Sequence, residues 1–142
     1  MNKSNQSTLK MDPKMCPMMR LSVLSRKIGK LFRKRLSKLN VSQSQTSILL
    51  MVSGMGEVAQ STIGKYLELE RSTVSRDLVG LIDKGYLYKT ATGVSPTISL
   101  TQDGKKMADL VTQEWEKGYQ ASFQILGSKG MNAISEIEKT MQ

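Results

Sequence analysis

Histidine is missing altogether, and cysteine is represented by Cys16 alone. The first absence removes every mechanism that needs an imidazole base, and a single thiol cannot complete a Cys/His zinc site, which takes about four ligands. A Ser-His-Asp hydrolase and a zinc finger are therefore excluded, as is an intramolecular disulfide. Long apolar runs and a cleavable leader pattern are also lacking, so neither secretion nor membrane insertion is expected and the chain reads as cytoplasmic. Paired carboxylates, a Gly-rich phosphate loop and a nucleophile beside a base are not to be found. We expect no enzyme, no metal and no cofactor.

What is present suits one globular domain: 142 residues, 39% hydrophobic and 23% charged. The net charge of +9 is distributed unevenly. Residues 1–40 hold eleven of the basic side chains and one acidic residue, Asp12, whereas residues 41–142 hold ten basic and eleven acidic. All of the excess is N-terminal. A field of this sign favours a polyanion, because each cation that neutralises a phosphate releases condensed counterions. Nucleic acid is the first candidate and an anionic surface the second, while a solvated helix face would look the same from charge alone.

Periodicity gives the organisation. Residues 1–17 are a polar, basic arm punctuated by Pro13 and Pro17. Leu21, Leu24, Ile28, Leu31, Phe32, Leu36 and Leu39 recur at steps of three and four, which predicts a long first helix ending near Asn40. Ser42 is the next N-cap candidate, for a second helix to Met55 burying Ile48, Leu49 and Val52. A brief extended piece at residues 57–59 precedes a third helix, Gln60–Leu67, and a fourth starts near Arg71 and stops at Gly85. Residues 86–89 and 97–100 are rich in strand formers and flank a turn, which reads as a hairpin. Thr101 caps a fifth helix, whose expected buried side is Met107, Leu110, Val111, Trp115, Tyr119, Phe123 and Leu126. Gly127 and Gly130 separate a last helix carrying Met131, Ile134, Ile137 and Met141.

The order is informative. A short helix, a tight connection, a helix opening Arg71-Ser72-Thr73-Val74-Ser75-Arg76 and then a hairpin make a winged helix-turn-helix. The start of such a helix enters the major groove, where the small hydroxyls of Ser72, Thr73 and Ser75 permit close approach and exchange hydrogen bonds with base edges. Of Arg71 and Arg76, either can take a guanine edge while the other holds a phosphate. Without the flanking elements, the same six residues would equally suit the capping of a solvated helix.

Over residues 18–142 the sequence resembles the MarR family of bacterial transcription regulators. The resemblance rests on the long first helix, on Leu69-Glu70-Arg71-Ser72-Thr73-Val74-Ser75-Arg76, on Leu81-Ile82-Asp83-Lys84-Gly85-Tyr86-Leu87 leading to the wing, and on Leu100-Thr101-Gln102-Asp103-Gly104. It implies a mainly α fold with a small β wing, divided into a DNA-binding lobe at residues 41–100 and dimerisation helices at 18–40 and 101–142. It also implies a homodimer on a pseudo-palindromic site in double-stranded DNA, acting as a repressor that a small aromatic or oxidant effector releases. Ser42, Gln43, Lys65 and Lys89 are further expected DNA contacts. Three positions depart from the family pattern: an uncharged wing at residues 90–96, Glu68 where a turn glycine is frequent, and Ala59 where a capping hydroxyl is usual.

Cys16 sits among Met15, Pro17, Met18 and Met19. A thiol near a helix start and many cations can act as a redox sensor, as in some members of the family, or be a small half-buried residue without chemistry. A soft-metal site of Met and Cys is a further reading. It is weakened by the methionines at Met51, Met55, Met107, Met131 and Met141, which fall at core-like helical positions. The competing function is a non-sequence-specific nucleic-acid or anionic-surface binder that uses the basic N-terminal helix.

Overall fold

The computed structural model describes residues 12–90 and 96–142. A 3₁₀ turn at Pro13–Met15 precedes α1 (Pro17–Leu36), and a second at Ser37–Leu39 follows it. Asn40, with φ 52°, ends that run in the left-handed region, where asparagine is tolerated better than most residues. Then come α2 (Gln43–Met55), β1 (Val58–Ala59), α3 (Gln60–Leu67), α4 (Arg71–Asp83), β2 (Leu87–Thr90), β3 (Thr97–Leu100) and α5 (Gln102–Thr140). The expected arm falls largely outside the described residues, and so does the wing tip, residues 91–95.

Local chemistry accounts for the boundaries. Ser42 and Gln45 form a reciprocal capping box: the serine hydroxyl accepts from Gln45 N–H at 3.1 Å, and the Gln45 side chain accepts from Ser42 N–H at 3.2 Å. The helix runs through Gly54 and stops at Gly56. Thr101 Oγ1 accepts from Gly104 N–H at 2.9 Å at the start of α5. Gly127, with φ 62° and ψ −179°, interrupts α5, and helix resumes on its far side. Gly130 lies inside the resumed helix, so one glycine rather than two makes the break.

The core lies where α2, α4 and the sheet meet. Ile48, Leu49, Val52, Val58, Ile63, Leu78, Leu81, Leu87, Ile98 and Val111 are almost fully buried. The sheet is antiparallel in the order β1-β3-β2, with Leu87 opposite Leu100 and Thr90 opposite Thr97. The proximal half of α5 packs against α1, where the Phe32 and Trp115 rings approach to 4.5 Å between centroids. Gly118 admits this packing, since a Cβ there would meet the Phe32 ring at 2.6 Å.

Several apolar stripes identified by periodicity are open in the single chain. Leu21, Leu24, Leu110, Tyr119, Phe123, Ile134 and Ile137 are each about half exposed or somewhat less, and Met55 and Met141 are exposed at 57% and 83%. Helical periodicity identifies an apolar face correctly but does not name what covers it. In one chain, α1 and α5 are long enough to project beyond the lobe, so part of each stripe has no neighbour.

At the start of α5 the backbone approaches another segment very closely. A Cβ on Gly104 would lie 1.9 Å from the Tyr86 carbonyl oxygen. Gly104→Ala is expected to lower stability by about 1–3 kcal/mol. Gly54 stands in a helix with nothing within 4 Å of its would-be Cβ, so Gly54→Ala should add up to about 1 kcal/mol. Urea unfolding of the two variants should shift the midpoint in opposite directions.

Candidate nucleic-acid interface

The helix-turn-helix consists of α3, a turn at residues 68–70, and α4. Glu68 takes the left-handed conformation, φ 50° and ψ 41°, that a glycine would take without steric cost. The backbone accepts it because the turn is fixed on both sides: Leu69 N–H donates to Gly64 carbonyl at 3.0 Å, and Val74 N–H donates to Glu70 carbonyl at 3.0 Å. Val74, Leu78 and Leu81 bury the inner side of α4. Ala59 leaves α3 without a side-chain cap, and Pro96 carbonyl takes part of that role by accepting from Gln60 N–H at 3.1 Å. The strand after the wing is thereby tied to the start of α3.

The outer side of α4 is formed by Ser72, Ser75, Arg76 and Val79, which follow the three- and four-residue steps of one helix face and are all exposed. Arg71 is exposed beside them at the helix start. Thr73 is half-buried and one helical step off this face, so it stands apart from the two serines with which the sequence grouped it. Arg76 folds along its own helix, Nε donating to Ser72 carbonyl at 3.4 Å. Asp77, on the inner flank, holds Oδ2 out of solvent with no hydrogen-bond partner among the described residues.

Val79 was not among the sequence-selected residues. It is an exposed apolar side chain, 52% accessible, one turn beyond Ser75 and Arg76. A methyl-bearing residue on a groove-facing helix can contact a thymine methyl. Its signal in the sequence is a valine that breaks the buried 74, 78, 81 series.

The remaining candidates are dispersed. Lys65 is exposed on α3 and, with Gln60, Ser61, Gly64, Leu69, Arg71, Val74 and Pro96, lines an open cleft of about 600 Å³ between α3 and α4. Lys89 is exposed on β2. Ser42 has its hydroxyl committed to the cap and to Ser44 Oγ at 3.1 Å, and Gln43 Oε1 accepts from Arg33 Nη1 at 3.5 Å. Cys16 is free and half-buried at the N-cap position of α1, where its side chain makes no capping bond. Among the described residues, no three His, Cys, Asp or Glu side chains gather as a metal site requires.

The wing root has a device the sequence reading missed. Glu57 Oε1 accepts from the hydroxyls of both Thr90, at 3.1 Å, and Thr97, which face each other across β2 and β3. One carboxylate from the segment before β1 thus clasps both strands of the hairpin at the point where it leaves the sheet. The signal was latent in the strand register, which alone places Thr90 opposite Thr97.

Comparison with known proteins gives a consistent answer. Residues 39–94 match the sequence model of the MarR family. No curated protein matches the sequence. Among solved structures, BpsR of Bordetella bronchiseptica superposes with a TM-score of 0.82 at 16% identity, covering 93% of this chain and 98% of that one. A cysteine-to-serine mutant of E. coli MarR, solved with operator DNA, gives 0.78 at 18% identity over 91% and 96% of the two chains. A MarR regulator from Methanosarcina mazei gives 0.71 at 20% identity over 86% and 84%. The fold is that of the MarR family. Its winged-helix lobe is the segment the family model matches, and α1 and α5 extend the likeness to nearly the whole chain in the MarR structures. No helix among the described residues is long and apolar enough to cross a membrane.

The Glu57 clasp yields a test of wing geometry. Hydrogen bonds to a charged acceptor contribute about 1.5–3 kcal/mol when sheltered and less when exposed as here. Glu57→Ala is expected to cost about 1 kcal/mol and to speed amide exchange in β2 and β3 while leaving α2 unaffected. Glu57→Gln, which keeps an acceptor, should restore most of the protection.

Proposed function

We propose that this protein is a sequence-specific DNA-binding transcriptional regulator that works as a homodimer. The observation that carries this reading is the outer face of α4. There Arg71, Ser72, Ser75, Arg76 and Val79 form an exposed strip of hydrogen-bonding groups, positive charge and one methyl-bearing side chain, mounted on a helix whose other side is fully anchored in the core. The MarR-family match across the lobe supports it. So do relatives of the same fold solved with DNA, including the E. coli MarR mutant with operator and reduced AbfR.

Dimerisation is supported by the stripes that the single chain leaves uncovered. Leu21 and Leu24 on α1, with Phe123, Ile134 and Ile137 on α5, offer apolar area to a second copy. Pairing two lobes about a twofold axis sets two recognition helices about 34 Å apart, one turn of duplex, and matches a pseudo-palindromic operator. A ligand that binds better to a different spacing weakens DNA binding by that preference, which is how an effector would relieve repression. NadR, of the same fold, has been solved with 4-hydroxyphenylacetate, and an aromatic acid is the effector class we assign here. Cys16 we assign no sensing role.

Selection of bound sequences from a random duplex pool should recover a site with inverted half-sites. Arg71→Ala and Arg76→Ala should each reduce affinity for it by about 1–3 kcal/mol, roughly 5- to 150-fold, whereas Lys89→Ala, outside the helix face, should cost under about 1 kcal/mol. Lys89→Ala equal in effect to Arg76→Ala would contradict the assignment of readout to α4. Enrichment of no preferred site would defeat the whole reading. For the assembly, Ile134→Lys with Ile137→Lys should move the sedimenting species from dimer to monomer without loss of helical circular dichroism. A parent chain that sediments only as a monomer would overturn the dimer.

A further inference from the structure

We propose that α1 carries a second DNA-binding surface, a sequence-independent phosphate contact on the side of the helix opposite its apolar stripe. The proposal extends the DNA-binding reading above to a different part of the molecule. From Pro17 to Leu39 the chain contains eight Lys and Arg side chains and no carboxylate. Arg26, Lys30 and Lys34 succeed one another at four-residue steps, about 6 Å apart along the helix axis, with Lys27 and Arg33 flanking the row. All five are exposed.

Three features separate this row from an ordinary solvated face. First, it is not neutralised. The two ion pairs among the described residues are Lys117–Glu114 and Lys139–Glu136, both within α5. The carboxylate of α5 that does feel α1 is Glu114, held below the usual carboxylate range by its hydrogen bond from Lys117 and further by the charges of Lys117, Lys38 and Arg35. The cations acting on it from α1 and the turn after it are thus Arg35 and Lys38, outside the Arg26-Lys30-Lys34 row. Like charges at four-residue spacing destabilise a helix slightly, a cost that an arriving polyanion relieves.

Second, the row joins the recognition elements. Arg33 Nη1 donates to Gln43 Oε1, and Gln43, Ser44 and Ser47 line a shallow groove with Leu67 and Leu69 of the helix-turn-helix. Positive surface on α1 therefore runs onto the lobe beside the turn that leads to Arg71. Third, the row has little apolar surface with it. The large exposed apolar groups of α1 are near its N-terminal end, at Met18, Met19, Leu21, Val23 and Leu24, so beyond Leu24 the face lacks what an interfacial membrane helix uses to insert. A rigid polyphosphate fits this chemistry better than a lipid surface, and duplex DNA is the polyphosphate that the lobe already recruits.

The test uses the full-length chain, random-sequence 60-base-pair duplex, and a variant with Arg26→Gln, Lys30→Gln and Lys34→Gln. Glutamine keeps helix propensity, and circular dichroism melting verifies the fold. If each cation meets a phosphate, the slope of log affinity against log salt should fall by about 2.7, with roughly tenfold or greater loss at low salt. In the double variant Arg71→Ala with Arg76→Ala, random-duplex binding should persist and remain sensitive to the α1 substitutions. An unchanged slope would overturn the second surface, as would a folded variant that keeps its DNA affinity but loses binding to phosphatidylserine vesicles. Failure to select an operator from a random pool, with the slope change intact, would instead count against sequence-specific regulation and leave the α1 surface standing.

Discussion

The junction between residues 85–86 and the first turn of α5 governs how everything else in the molecule can move. Thr101 N–H donates to Tyr86 carbonyl at 3.0 Å, its hydroxyl donates to Gly85 carbonyl, and the same hydroxyl oxygen receives Gly104 N–H. The chain leaving α4 is thus held directly against the start of α5. Tyr86 N–H also reaches back to Leu81 carbonyl at 2.9 Å, and Lys84 Nζ holds Asn40 carbonyl in the connection from α1 to α2. With so many bonds converging, α4 and the proximal part of α5 behave as one lever. A displacement of the proximal half of α5, on the near side of the Gly127 break, would pass directly to α4.

Helix α1 divides its labour by face. One side supplies Phe32 and Leu36 to the interior and continues as an uncovered apolar stripe toward its N-terminal end. Beyond Leu24 the other side is dominated by exposed cations. The asymmetry in charge that is visible in composition thus has a spatial meaning. Among the described residues, most of the N-terminal cations lie along one helix, away from the apolar contacts that make the core.

Much of this was legible without coordinates, and the reasons are local. Ser42 and Thr101 announce caps through the chemistry of their hydroxyls, α3 occupies the residues its pattern specified, and the 74, 78, 81 series marks the buried side of α4 because a helix repeats every 3.6 residues. The exposed face of α4 follows from the same repeat and holds most of the residues picked out on that helix, with Thr73 lying off it and Val79 added to it. Adjacency in sequence grouped Thr73 with its serine neighbours, whereas the helix turns it off their face, and Val79 was not singled out because it falls outside the buried series. The Glu57 clasp could not be read because it depends on strand register, a non-local quantity. Periodicity marked the apolar side of α5 but is silent about whether the covering surface belongs to the same chain; only the family resemblance assigned these helices to dimerisation.

The chain has one tryptophan, and it sits at the seam between α1 and α5, half-buried and 4.5 Å from the Phe32 ring. An indole in that position reports on its surroundings through its emission, with no label and no competing tryptophan signal. Any event that shears α1 along α5, whether assembly, ligand capture or release from a duplex, should register there as a shift in colour or quenching. The protein thereby carries a built-in optical gauge at the contact through which its two long helices communicate.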